Sequence, residues 1–110
     1  MNDATEPQFV TIPVADVAAG KSAALKIDDT LTLAVCEHEG RYFALDNKCP
    51  HRGAPLADGE VASGLMICPL HHFKFNLETG RCLMPKHLRA RTFTVTREGD
   101  LLKIEVPQAG

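Results

Sequence analysis

The sequence predicts an all-β fold of antiparallel strands, and three observations carry that expectation. Apolar residues recur with a period of two, in short runs rich in β-branched and aromatic side chains. Gly, Asp, Asn and Pro punctuate those runs as tight turns require. Only residues 14–19 and 85–88 have room for a short helical turn, so helix content should be small.

Taken in order, strands are expected over 9–13, 23–27, 31–37 and 42–46, with turns at Asp28-Asp29 and Glu39-Gly40. Two more follow at 65–67 and 73–76, the second leading to a turn at Thr79-Gly80. The last pair spans 92–97 and 101–106. There Phe93 and Val95 alternate with Thr92, Thr94 and Thr96, and Glu98-Gly99-Asp100 turns the chain so that Leu102, Ile104 and Val106 share a face. From residue 46 to about 85 the alternation weakens, and Pro50, Pro55, Pro69 and Pro85 fall there together with three of the four cysteines. This reads as a subdomain built around a ligand (46–85), inserted into a base formed by 1–45 and 86–110. At 110 residues the chain suits one domain with a single core of its own.

Composition excludes several function classes. The chain is 45% apolar and 24% charged, with a net charge of −2 and a pI near 6.2. It has no long basic run, no Trp and one Tyr, which leaves little with which to bind or stack nucleic acid. MNDATEPQF has neither the positive nor the apolar region of a secretory leader, and no apolar run reaches the roughly 18 residues of a membrane span. A soluble, cytoplasmic protein is expected. In a reducing compartment four cysteines point to metal or reactive thiols more than to disulfides.

The chemistry concentrates in two stretches, CPHRGAPLADG from Cys49 and CPLHHFKFNLETG from Cys68. Cys49 and His51 form C-x-H, Cys68 and His71 form C-x-x-H, and sixteen residues separate His51 from Cys68. Each loop offers one thiolate and one imidazole. A structural zinc finger usually takes two cysteines from one arm and two histidines from the other, so the mixed pairing suits it poorly. A two-iron cluster suits it better, because two cysteines on one iron and two histidines on the other let each loop bridge both. A zinc-bound structural module remains the reading from another class.

On these two boxes the chain resembles the Rieske-type [2Fe–2S] proteins, and specifically their small soluble ferredoxins. The resemblance covers nearly the whole chain. It implies one [2Fe–2S] cluster, an antiparallel β-sandwich with an inserted cluster-binding subdomain, Cys49 and Cys68 on the inner iron, and His51 and His71 on the outer iron. The family commonly has Gly after the second histidine ligand, and this chain has His72. The two-box spacing is met by His71, which leaves His72 as a neighbour of the cluster. Cys36 and Cys82 lie outside both boxes and are expected to be buried small apolar residues.

The resemblance also implies an electron carrier and no catalytic residues of its own. No G-x-G-x-x-G fingerprint is present for a nicotinamide cofactor. The expected partners are a flavin-dependent reductase and a terminal oxygenase of the ring-hydroxylating type. The alternative is the small Rieske subunit of an NAD(P)H-dependent nitrite reductase, working with its large subunit. High-potential relatives carry a disulfide between the boxes and hydroxyl donors to the cluster; the corresponding positions here are Ala54, Leu70, Phe73 and Phe75, which implies a low potential.

Overall fold

The computed structural model describes residues 8–107, so MNDATEP, part of the stretch read above for a leader, and the last three residues of the expected base lie outside it. Among the described residues ten strands form three antiparallel sheets. The first joins β1 (Gln8–Pro13), β10 (Leu101–Val106) and β9 (Val95–Glu98) in that order. The second has the order β2 (Ser22–Lys26), β3 (Thr32–His38), β4 (Arg41–Asp46) and β8 (Thr92–Phe93). The third is β5 (Glu60–Ala62), β6 (Leu65–Ile67) and β7 (Lys74–Asn76). Two 3-10 turns, Val14–Asp16 and Leu56–Asp58, are the helical elements among the described residues.

The second sheet is buried on both faces. Leu33, Val35 and Ala44 meet Leu102, Ile104 and Val106 of the first sheet. Ala34, Cys36 and Leu45, pointing the other way, join Leu56, Met66, Phe75 and Leu77. A strand covered twice needs no polar face, which is why Leu33, Ala34, Val35 and Cys36 run together without alternation. That strand is the floor on which the third sheet rests.

The sequence-based strands at the two ends of the chain hold, with one difference of physical interest. Residues 92–97 form two short strands rather than one: β8 pairs with β4, whereas β9 pairs with β10. Thr94 lies between them and offers its carbonyl to Glu105 N–H at 2.9 Å. The chain turns a sandwich corner there, and alternation continues through a corner because both sheets face the same core. Strand β5 has too few residues for a periodic signal. Residues 85–88 form a hydrogen-bonded turn, with Leu88 N–H donating to Pro85 O at 3.3 Å.

Cys36 is fully buried, and burial pushes its thiol up to about 12 from an ordinary value of 9.0, with the neighbouring Glu37 carboxylate adding to the effect. The unfolded chain therefore ionises this thiol first as pH rises, so the contribution of neutral Cys36 is complete below pH 9 and is lost between 9 and about 12. Cys36→Ala should cost about 1 kcal/mol at neutral pH. It should also make the fall of the unfolding temperature above pH 9 shallower, which thermal melts of both proteins across that range will measure.

Candidate metal centre

The first box begins where β4 ends. Asn47 donates its N–H to the Thr32 carbonyl at 2.8 Å and accepts twice from the following 3-10 turn, its carbonyl from Leu56 N–H at 2.7 Å and its Oδ1 from Ala57 N–H at 2.8 Å. Between these anchors Lys48 and Pro55 form a β-bridge, and Cys49 N–H donates to Ala54 O at 2.9 Å. Four residues, Pro50 to Gly53, make the loop. Gly53 closes it at φ +76°, with its N–H on Cys49 O at 2.7 Å.

The second box is the turn of the β6–β7 hairpin and repeats the construction. Cys68 N–H donates to Phe73 O at 2.7 Å across another four-residue loop, Pro69 to His72. Loop position four, glycine in the first box, is His72 in the second, and it too has positive φ, +58°. His71 before it lies at φ +64°. Two successive left-handed residues with side chains strain this turn, each by about 1–2 kcal/mol. Gly59 supports the hairpin from outside, where a Cβ would overlap the Ile67 carbonyl oxygen and sit 3.2 Å from Pro69 Cδ.

The loops bring like donors together. Cys49 and Cys68 are both buried in one core cluster, and the Cys49 thiol adds to the upward push on the Cys68 thiol. The rings of His51 and His71 lie 5.2 Å apart, His51 half-buried and His71 exposed, with Phe73 4.2 Å from His51. Leu70 N–H donates to Cys68 Sγ at 3.4 Å. Among the described residues no three His, Cys, Asp or Glu side chains converge as they would on a single ion. His72 is exposed, while Cys36 and Cys82 are buried in the core beneath the boxes, Cys82 donating its thiol to Met84 O at 3.3 Å.

The electrostatics suit a metal. Burial, with some contribution from Cys49, pushes the Cys68 thiol up to about 11 even though Leu70 N–H works the other way, so a metal binds there by displacing a thiol proton. Burial, then the nearby His71 and Arg52 charges, hold His51 below its ordinary value and keep it neutral, the form that ligates. His51 Nδ1 is buried without a hydrogen-bond partner, the environment of an atom that coordinates instead. The donor set therefore fits a two-iron cluster taken two ligands to an iron.

Three antiparallel sheets carrying two matched Cys/His loops define a small β-class metalloprotein of iron–sulfur type. The chain belongs to the Rieske [2Fe-2S] domain family, whose sequence profile matches residues 8–99. It is 34% identical over 99 residues to the 3-phenylpropionate/cinnamic acid dioxygenase ferredoxin subunit of Escherichia coli (strain K12), covering 88% of this chain and 92% of that protein. Among solved structures, the Sphingomonas yanoikuyae B1 ferredoxin superposes with a TM-score of 0.77 at 32% identity, over 86% of this chain and 94% of that one. The structure titled putative NADH-dependent nitrite reductase small subunit from Mycobacterium tuberculosis gives 0.84 at 17% identity, over 94% and 98%, a likeness of fold alone.

Sequence reading located the two boxes but missed Asn47, Gly59 and the segment after Cys82. Asn47 carried one signal, an Asx residue two positions before Cys49, where its side chain can cap a following turn. The loop geometry separates the adjacent histidines by experiment. His72→Gly should keep the cluster's electron paramagnetic resonance envelope and raise stability by about 0.5 kcal/mol, since relief of the left-handed strain exceeds the entropy that glycine adds to the unfolded chain. His71→Ala should abolish the spectrum or shift it grossly. Loss of the cluster in His72→Gly would reverse the assignment.

Proposed function

We propose that this chain is a Rieske ferredoxin: Cys49 and Cys68 hold the inner iron and His51 and His71 the outer iron, and the protein passes single electrons from a flavin-dependent reductase to a terminal oxygenase. The observation that carries this reading is the sorting of donors, a buried thiol pair on one side and an imidazole pair that reaches the surface on the other. When bound, the cluster supplies a one-electron couple. The residues around it set its terms. Phe73 lies against His51 and limits water there, Leu70 N–H adds a positive dipole at Cys68 Sγ, and His71 presents the exposed end through which a partner approaches.

The alternative, a nitrite reductase small subunit, shares the fold, but the 34% identity lies with a dioxygenase ferredoxin subunit. No helix among the described residues is long and apolar enough to cross a membrane, and the cytoplasm is the compartment that fits free thiols. Reduction by candidate flavin reductases, followed by assay of oxygenase and of nitrite reductase turnover, tests the partners. Stable co-purification with a large sirohaem protein would favour the alternative.

The potential follows from the surroundings of the boxes. Ala54 and Leu70 cannot form a disulfide, Phe73 and Phe75 offer no hydroxyl, and no polar or charged residue is buried among those described. Few neighbouring groups stabilise the extra negative charge of the reduced state, so the potential should lie near the lower end of the class range, roughly −150 to +300 mV. A redox titration monitored by absorbance should give a negative midpoint, and a strongly positive one would refute this account. Phe73→Ser, which adds a hydroxyl beside His51, should move the midpoint upward.

A further inference from the structure

Three segments border the metal site: residues 47–55, 68–75 and 83–87. The third is placed there by pairing. Cys82 bridges to Phe75 and Leu83 N–H donates to Lys74 O at 2.9 Å, antiparallel to β7, so residues 84–87 continue past Lys74 toward Phe73 and His72. Of the large apolar residues exposed among those described, Leu70, Leu83 and Met84 belong to these segments, Met84 the most exposed of these at 74%.

Charge is divided just as unevenly. The three segments hold four of the chain's twelve Lys and Arg and none of its fourteen Asp and Glu. They therefore carry +4 and the rest of the chain −6, which together give the net −2. Lys48 and Arg52 flank the first histidine loop, Lys74 follows the second, and Lys86 lies just beyond the Leu83–Lys74 pairing, all four solvent-exposed. A body 43 Å long with charge so divided presents a different face to a negative surface than to a positive one.

We propose that the Leu83–His87 segment and the two boxes form one docking surface, with Met84 and Leu70 as its apolar centre and Lys48, Arg52, Lys74 and Lys86 as its basic rim. Its occupant is the electron partner of the proposed function, on which this inference rests, through an acidic surface surrounding an apolar depression. The apolar centre gains affinity by desolvation, while the rim orients the encounter. Orientation decides the rate, because approach from elsewhere on the surface leaves the cluster far from the partner.

Voltammetry of the cluster-loaded protein on gold coated with carboxylate- or ammonium-terminated monolayers tests the sign. Net charge alone favours the ammonium surface. The docking surface predicts the reverse, with interfacial electron transfer at least about tenfold faster on carboxylate at low salt. Lys74→Glu/Lys86→Glu should remove that preference and keep the spectrum of the cluster, whereas Lys21→Glu, outside the three segments, should retain it. On a monolayer mixing carboxylate with methyl termini, wild type should adsorb more electroactive protein than on carboxylate alone, and Met84→Ser should lose that gain.

Equal or faster transfer on ammonium, no wave on either surface, or a preference that survives in Lys74→Glu/Lys86→Glu would overturn the basic rim. Absence of the wild-type gain on the mixed monolayer, or its survival in Met84→Ser, would overturn the apolar centre. Reduction by dithionite and reoxidation by ferricyanide in free solution judge the carrier function separately. A protein that cycles there and fails on the monolayers keeps its function and loses this surface.

Discussion

In each box a cysteine N–H donates to the carbonyl five residues later, Cys49 to Ala54 at 2.9 Å and Cys68 to Phe73 at 2.7 Å. That closure leaves four residues to reverse the chain, and a reversal so tight demands a left-handed residue at its end. Gly53 supplies it without cost in the first box, and His72 supplies it under strain in the second. The pairing of donors is a consequence. Because the loops are alike in construction but their histidines stand one position apart, His51 and His71 reach each other while both cysteines stay buried.

A loop of four residues holds its geometry only if its ends are fixed. The first box begins at Asn47, directly after β4, a strand covered on both faces. Asn47 ties its N–H back to Thr32 and uses its carbonyl and side chain to hold the 3-10 turn on the far side of the loop. The second box is closed by β6 and β7, whose Met66 and Phe75 are fully buried in the cluster of residues that includes Cys49 and Cys68. A site held on rigid elements changes little between charge states, which favours rapid electron transfer.

How far the sequence exposed this depends on what kind of pattern each part leaves. The proposed donors are legible because ligation would fix residue type and spacing, and β9–β10 because one face is buried and the other wet. Thr94 hides a corner because the alternation of Phe93 and Val95 is the same on either side of it. Gly59 and the course of residues 83–87 hide for another reason. Each is defined by a neighbour distant in the chain, Ile67 in one case and Lys74 in the other, and no local period records such contacts.

Desolvation acts on the two donor types in opposite directions, and the result is the same. It raises the Cys68 thiol and lowers His51, so both are neutral in the chain alone and both are ready to exchange a proton or a lone pair for metal. Burial is graded as well, complete at the cysteines, partial at His51 and absent at His71. That gradient gives the centre a direction. Charge arriving on a cluster held this way is shielded from water at the thiol end and is nearest solvent at the imidazole end. Lys48, Arg52, Lys74 and Lys86 stand beside the boxes at that same end, exposed to solvent, where they attract a negative partner. That placement of charge serves the encounter, and a net charge of −2 conceals it, because a sum does not record position.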